Sequence, residues 1–171
     1  MSVMRASHIL LIDDDPLLLR ALKLELKSEP YTLHLVQSAS EAMQALFDLP
    51  IDVVLTDHHM PDRTGLEFLC DIKNQYPNII RGMITGQPDV SIYTQAVNQG
   101  QVHFLLTKPW QTEDLRTTIR SAVARKRAQE SLSRSNRGAE ALIELTLAHP
   151  GITSVKRTET GAIHLEEDEL R

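Results

Sequence analysis

The stretch His8-Ile9-Leu10-Leu11-Ile12-Asp13-Asp14-Asp15-Pro16 decides the fold. Its apolar run does not alternate with polar residues and stops abruptly at acids, the pattern of a short strand buried on both faces of a parallel sheet. Asp15 followed by Pro16 reads as an N-cap and the first helical residue, and Leu18, Leu22 and Leu26 recur behind it at helical spacing. The same unit of strand then helix recurs along the chain, with further strands expected near Thr32 to Val36, Asp52 to Thr56, Ile79 to Ile84 and His103 to Leu106. Ser38 with Glu41, and Thr64 with Glu67, fit the capping box that opens a helix. A fourth helix is expected after Pro88, and a fifth after Trp110 with Thr112 as its cap. Right-handed crossovers between parallel strands place helices on both faces, so residues 6–125 read as a three-layer, doubly wound α/β domain.

Composition agrees with one such domain carrying a tail. The chain has 171 residues, 42% hydrophobic and 24% charged, a globular balance that excludes collagen-like and wholly disordered chains. Its apolar runs are a few residues long, far short of the roughly 18 a membrane span needs. Arg5 precedes a short apolar run, but three aspartates follow at once, so no secretory signal can be drawn and the cytoplasm is the expected compartment. The single cysteine, Cys70, excludes an intrachain disulfide and a multi-cysteine zinc site and reads as a packing residue. Charge is unevenly spread: Arg116 to Arg137 holds seven basic residues against the one acid Glu130, a net +6 in a chain whose total is −5, leaving −11 for the rest.

Polar residues stand where the apolar strands end: Asp13 and Asp14 after the first, Asp57 after the third, Thr85 after the fourth and Lys108 after the fifth. The carboxyl ends of parallel strands share one edge of the sheet, so these side chains should converge. Carboxylates packed together repel, and a hard cation such as Mg2+ relieves the repulsion through oxygen ligands while leaving room for phosphate oxygens. A carboxylate in that setting can act as a nucleophile and form an acyl phosphate, the role assigned to Asp57. Lys108 supplies a positive charge and Thr85 a hydroxyl donor for oxygens that gain charge during transfer. Asp15 has the plainer role of helix cap. His58 and His59 tempt a transition-metal reading, but adjacent side chains diverge and no third ligand lies at a useful spacing, so they read as surface-loop histidines. Trp110 reads as a partly buried ring at a helix start.

Taken together, LLIDDDP (10–16), VVLTDHHMPDRTG (53–65), MITG (83–86) and LLTKPW (105–110) resemble, in order and spacing, the receiver domain of two-component response regulators (CheY-like). The resemblance covers about residues 8–125. It implies a flavodoxin-like strand order 2-1-3-4-5, and phosphorylation of Asp57 by a sensor histidine kinase or phosphotransfer protein. It also implies Mg2+ held by Asp13, Asp14, Asp57 and the backbone carbonyl of His59. The His59 side chain would then influence water access to the phosphate. The sequence departs from the family at Leu105, where Tyr or Phe is usual three residues before the lysine; Phe104 precedes it but should face the other way on a strand.

Residues 126–171 lie beyond the resemblance. Helix is expected through Arg137, restarting after Gly138 along Ala139 to Ala148, and Ile152 to Lys156 and Ala162 to Leu165 can pair as a hairpin. This extension reads as an association or linker segment, toward a second copy of the chain or an unidentified output protein. No nucleic-acid-binding motif can be drawn in it, and neither nucleic acid nor membrane is an expected partner. The whole reads as a phosphoacceptor that assists its own phosphorylation and dephosphorylation rather than as a conventional enzyme. Two rival readings are a haloacid-dehalogenase-like phosphatase, with Asp13 as nucleophile in the pattern Asp13-x-Asp15, and an interaction module without phosphorylation.

Overall fold

The computed structural model describes residues 5–86, Thr94, Val97 and residues 102–148, 152–157 and 163–167. Strands β1 (Ser7–Ile12), β2 (Tyr31–Val36), β3 (Val53–Asp57), β4 (Ile80–Thr85) and β5 (Phe104–Thr107) form one sheet in the order β2-β1-β3-β4-β5. Every pairing in it is parallel. Helices α1 (Pro16–Glu25), α2 (Ala39–Asp48) and α3 (Gly65–Gln75) alternate with the strands, and α4 (Thr112–Ala148) follows β5. The helix expected after Pro88 lies outside the described residues, except that Thr94 and Val97 are helical. No helix among the described residues is long and apolar enough to cross a membrane.

Side chains that alternate along the strands supply two separate cores. Leu10, Ile12, Val54 and Met83 pack with Ala42, Leu46, Phe68 and Ile72 of α2 and α3. Ile9, Leu11, Val53, Leu55, Ile80 and Ile84 pack with Leu19 and Leu22 of α1 and Leu115, Ile119 and Val123 of α4. The unbroken apolar runs of β1, β3 and β4 are therefore covered on both sides. The expectation of full burial fails at the two edge strands: no residue of β2 is fully buried, and in β5 only Leu106 is. Leu105 packs against the α2/α3 core and Phe104 against the α1/α4 core, so the two face opposite sides as expected.

Local hydrogen bonds explain where the helices start. Asp15 accepts from the Leu17 N–H at 2.8 Å, with Pro16 as first helical residue. Thr64 and Glu67 form a complete capping box. The box expected at Ser38 is altered: Ser38 accepts from the Glu41 N–H, but the Glu41 carboxylate takes its bond from Gln37 rather than from the cap residue. Thr112 is the first residue of α4 and not its cap, because the Leu115 N–H already bonds the Gln111 carbonyl at 3.1 Å. Nor does the helix restart at Gly138; α4 runs through it unbroken.

The chain divides into two compact units, Met1–Gln129 and Glu130–Arg171. The second contains an antiparallel pair, β6 (Ile152–Arg157) with β7 (Ile163–Glu167), at the expected hairpin. Most of the basic stretch is engaged locally. Arg116 donates to the Glu25 carbonyl, Arg120 pairs with Glu29 at 2.6 Å, Lys126 donates to the Asn78 carbonyl and Arg127 to Ser7. Arg134 pairs with Glu130, and Arg137 donates to the Ser133 carbonyl.

Two features of β4 and β5 carry predictions. Gly82 lies opposite Phe104 in the ladder, and a Cβ at Gly82 would overlap the Phe104 ring. Gly82→Ala should lower stability by about 1–3 kcal/mol in chemical denaturation, as overpacking does, and by less when Phe104 is also changed to Leu. His103 Nδ1 accepts from the Arg81 N–H at 3.0 Å, while the His103 N–H donates to the Arg81 carbonyl at 2.7 Å. Burial first, and then the positive charges of Arg81 and Arg125, bring the His103 pKa down to about 4. Below pH 6.5 the unfolded chain therefore takes up a proton that the native protein refuses, and stability falls until pH reaches about 4. Comparing unfolding free energies at neutral pH and near pH 4.5, wild type should lose about 1–2 kcal/mol more than His103→Gln.

Candidate functional site

The carboxyl ends of β1, β3, β4 and β5 share one edge of the sheet, as parallel pairing requires. Asp13, just past β1, is 3% exposed, and its Oδ1 accepts the Asp15 N–H at 2.9 Å. This bond orients Asp13 inward, while the Asp15 carboxylate is taken up by the cap of α1. Asp57 ends β3, is 6% exposed, and accepts the His59 N–H on Oδ2 at 2.7 Å. Lys108 lies past β5 and is anchored by its N–H to the Thr85 carbonyl at 2.8 Å. Its Nζ donates to Asp57 Oδ1 at 2.5 Å and to Asp13 Oδ2 at 3.5 Å. Thr85 itself is buried at the end of β4. The peptide bond from Lys108 to Pro109 is cis.

Electrostatics follow from this packing. Burial is the largest influence on Asp13 and raises its pKa; the charge of Asp57 adds to the rise, while the Asp15 N–H and Lys108 oppose it. Burial alone would lower the Lys108 pKa, but the hydrogen bond and charge of Asp57, reinforced by Asp13, outweigh it and raise it. Lys108 therefore stays protonated and serves as counterion to two buried carboxylates.

Of the residues expected to converge, Asp13, Asp57 and Lys108 are in contact, and Thr85 is tied to Lys108 through the backbone. Asp14 is exposed, and among the described residues no group of three or more His, Cys, Asp or Glu side chains is gathered to hold a metal. The expected triad of carboxylates is thus a buried pair with a third acid on the surface. The pair remains suited to a hard cation: both donors are oxygens, Asp13 is strained toward its neutral form by burial and by Asp57, and Mg2+ is commonly held by one or two carboxylates with water completing the shell.

His59 is exposed, as expected of a surface-loop histidine, whereas His58 departs from that reading. Their rings meet edge to face, with centroids 4.6 Å apart, and His58 is partly buried. The His58 Nδ1 is buried without a hydrogen-bond partner among the described residues, and burial, then His59, lowers the His58 pKa. Trp110 fits its expected place: it packs on the α1/α4 core and its Nε1 donates to Glu25 at 3.0 Å.

Gly65 was not singled out in the sequence, yet a Cβ there would run into the Asp57 carbonyl oxygen. Its N–H donates to the His58 carbonyl at 2.9 Å, so α3 begins directly against the backbone of Asp57. The available signal was its position just inside the capping box that Thr64 opens.

Comparison with known proteins agrees with this geometry. The response regulator receiver domain model matches residues 9–120. Among relatives, the hydrogenase transcriptional regulatory protein HoxA of Cupriavidus necator is 33% identical over 130 residues, covering 76% of this chain but 27% of HoxA. The transcriptional regulatory protein GlrR of Escherichia coli is 31% identical over 119 residues, covering 70% of this chain and 27% of GlrR. The chain thus spans about a quarter of the length of these relatives. Among solved structures, the signal receiver domain of an HD domain-containing protein from Pseudomonas fluorescens superposes with a TM-score of 0.72 at 33% identity, covering 77% of this chain and 96% of that one. A structure described as adenylate cyclase from Rhodopirellula baltica superposes with a TM-score of 0.73 at 30% identity, covering 78% and 98%. With its sheet order, its buried Asp13 and Asp57 paired with Lys108, and a family match across most of the α/β unit, the chain belongs to the response regulator receiver domain family.

Proposed function

We propose that residues 6–125 accept a phosphoryl group on Asp57 from a histidine kinase or phosphotransfer protein, and that residues 126–171 serve association or output. The observation that carries this reading is the Lys108 ammonium lying between Asp57 Oδ1 and Asp13 Oδ2 on the open edge of the sheet. In the transfer, an Asp57 carboxylate oxygen forms a bond to phosphorus as the phosphorus–nitrogen bond of the donor phosphohistidine breaks, and the imidazole leaves with the electron pair and takes up a proton.

Each neighbour has a role in that step. Lys108 is already hydrogen-bonded to the carboxylate and follows the charge onto the phosphoryl oxygens. The Thr85 hydroxyl, at the next strand end, is the second donor. The His59 N–H orients Asp57 by holding Oδ2. Asp13 and Asp57, with Asp14 at the exposed rim and the His59 carbonyl, would hold Mg2+, which supplies neutralisation of the phosphoryl charge. The His59 side chain, beside the acceptor loop, governs access of water to the acyl phosphate. Because Leu105 replaces the family's usual ring and packs on the α2/α3 core, the response to phosphorylation passes through aliphatic packing rather than through ring rotation. A phosphatase built on Asp13 is less well supported, because the Asp15 carboxylate such chemistry would use is occupied in capping α1.

Intact mass after incubation with Mg2+ and acetyl phosphate tests the assignment. Wild type should gain one phosphoryl group and Asp57→Asn none, since an amide is not an acyl-phosphate nucleophile. Labelling that persists in Asp57→Asn and disappears in Asp13→Asn would transfer the chemistry to Asp13. Lys108→Ala should still bind Mg2+ in calorimetry yet label at least about tenfold more slowly, equivalent to about 1.4 kcal/mol of transition-state stabilisation.

A further inference from the structure

At the N-terminal end of β5, on the edge of the sheet opposite Lys108, a cleft of about 380 Å³ opens between β5 and α4. Ile80, Phe104 and Ala122 give it an apolar wall, and its polar lining comes from His103, Thr117, Thr118, Ser121 and Arg125. Thr118, Ser121, Ala122 and Arg125 follow one another at helical spacing, so one face of α4 supplies most of that lining.

The polar groups share one character. Arg125 is the member of the basic stretch from Arg116 to Arg137 that makes no hydrogen bond or ion pair among the described residues, and the Thr117, Thr118 and Ser121 hydroxyls are likewise without partners there. His103 Nδ1 is occupied as acceptor for the Arg81 N–H, so its proton sits on Nε2 and its remaining polar group is a donor. No acid lines the cleft among the described residues. The charges acting on His103 are both positive, from Arg81 and Arg125. Arg81 in turn is pushed down by burial and by Arg125. A site with hydroxyl donors, a guanidinium and an N–H, beside an aromatic ring, is complementary to an anion attached to a flat apolar body.

We propose that this cleft binds a small organic anion, with a carboxylate or phosphate group held by Arg125, Ser121 and Thr118 and its apolar body against Phe104. The ligand bridges β5 and α4, and so reaches the helix that follows the Lys108 strand without passing through Asp57. It thereby supplies an input to the receiver separate from phosphorylation.

Nitrogen–proton correlation NMR of the full-length chain without Mg2+, titrated with benzoate and AMP and with their neutral counterparts benzamide and adenosine, tests this. At least one anion should bind with a Kd below about 1 mM, shifting the signals of His103, Thr118 and Ser121, with its neutral counterpart at least about tenfold weaker. Benzoate and AMP separate a carboxylate site from a phosphate site. Arg125→Gln and Thr118→Val, both at partly or fully exposed positions and checked for an unchanged thermal midpoint without ligand, should each weaken binding, the first by about tenfold or more. The proposal is overturned if neither anion shifts these signals at about 10 mM, if the neutral compounds bind equally well, if Arg125→Gln binds like wild type, or if the shifts centre on Asp13 and Asp57.

Discussion

Lys108 Nζ reaches two carboxylates that are each almost fully buried, and its positive charge offsets part of the cost of holding them side by side. Burying an unpaired carboxylate is costly, and burying two side by side adds their mutual repulsion. The sheet brings the three groups together because parallel strands deliver all their carboxyl ends to one edge. The surrounding bonds then divide the acids by role. Asp15 is consumed by the cap of α1, its own N–H turns Asp13 inward, and Asp14 is left outside. Three consecutive aspartates thus have three different fates, set by a helix that must begin at Pro16.

A second constraint is the lack of space around Asp57. Gly65 places the first turn of α3 against the Asp57 carbonyl, and its N–H bonds His58. The capping box of Thr64 and Glu67 fixes where that helix begins, so cap, glycine and Asp57 form one rigid corner. On the other side, Phe104 lies over Gly82 and secures β5 against β4, which positions the strand that carries Lys108. The site is therefore held by close backbone approach as well as by charge.

The order of the described elements, the strand ends and the meeting of Asp13, Asp57 and Lys108 at one edge were legible in the sequence because they depend on patterns within a few residues: apolar runs, cap residues and polar stops. What was not legible depends on neighbours far away in the chain. The partial burial of β2 and β5 follows from their places at the sheet edges, which their own apolar residues do not reveal. The exposure of Asp14 and the contact of the His58 and His59 rings arise from how the β1 and β3 loops turn, not from residue type. Gly138 reads as a break because glycine is a weak helix former, but the cost of one such residue is about 1 kcal/mol, too little to interrupt α4.

The basic stretch shows how composition misleads when pairing is ignored. A net charge of +6 over Arg116 to Arg137 suggests a surface for a polyanion, yet most of these side chains are directed at the protein's own groups. Arg116 and Trp110 both bond Glu25, at its carbonyl and carboxylate, and Arg120 grips Glu29 close by. These bonds fasten the end of α1 and the entry to β2 to the first turns of α4 and to Trp110, which lies two residues beyond Lys108 in the chain. Only Pro109 separates Lys108 from Trp110, so a displacement of Lys108 bears on Trp110 and, through its Nε1 bond, on Glu25. Glu25, Glu29, Arg116 and Arg120 are therefore parts of one connection between the sheet edge that carries Lys108 and the first helix.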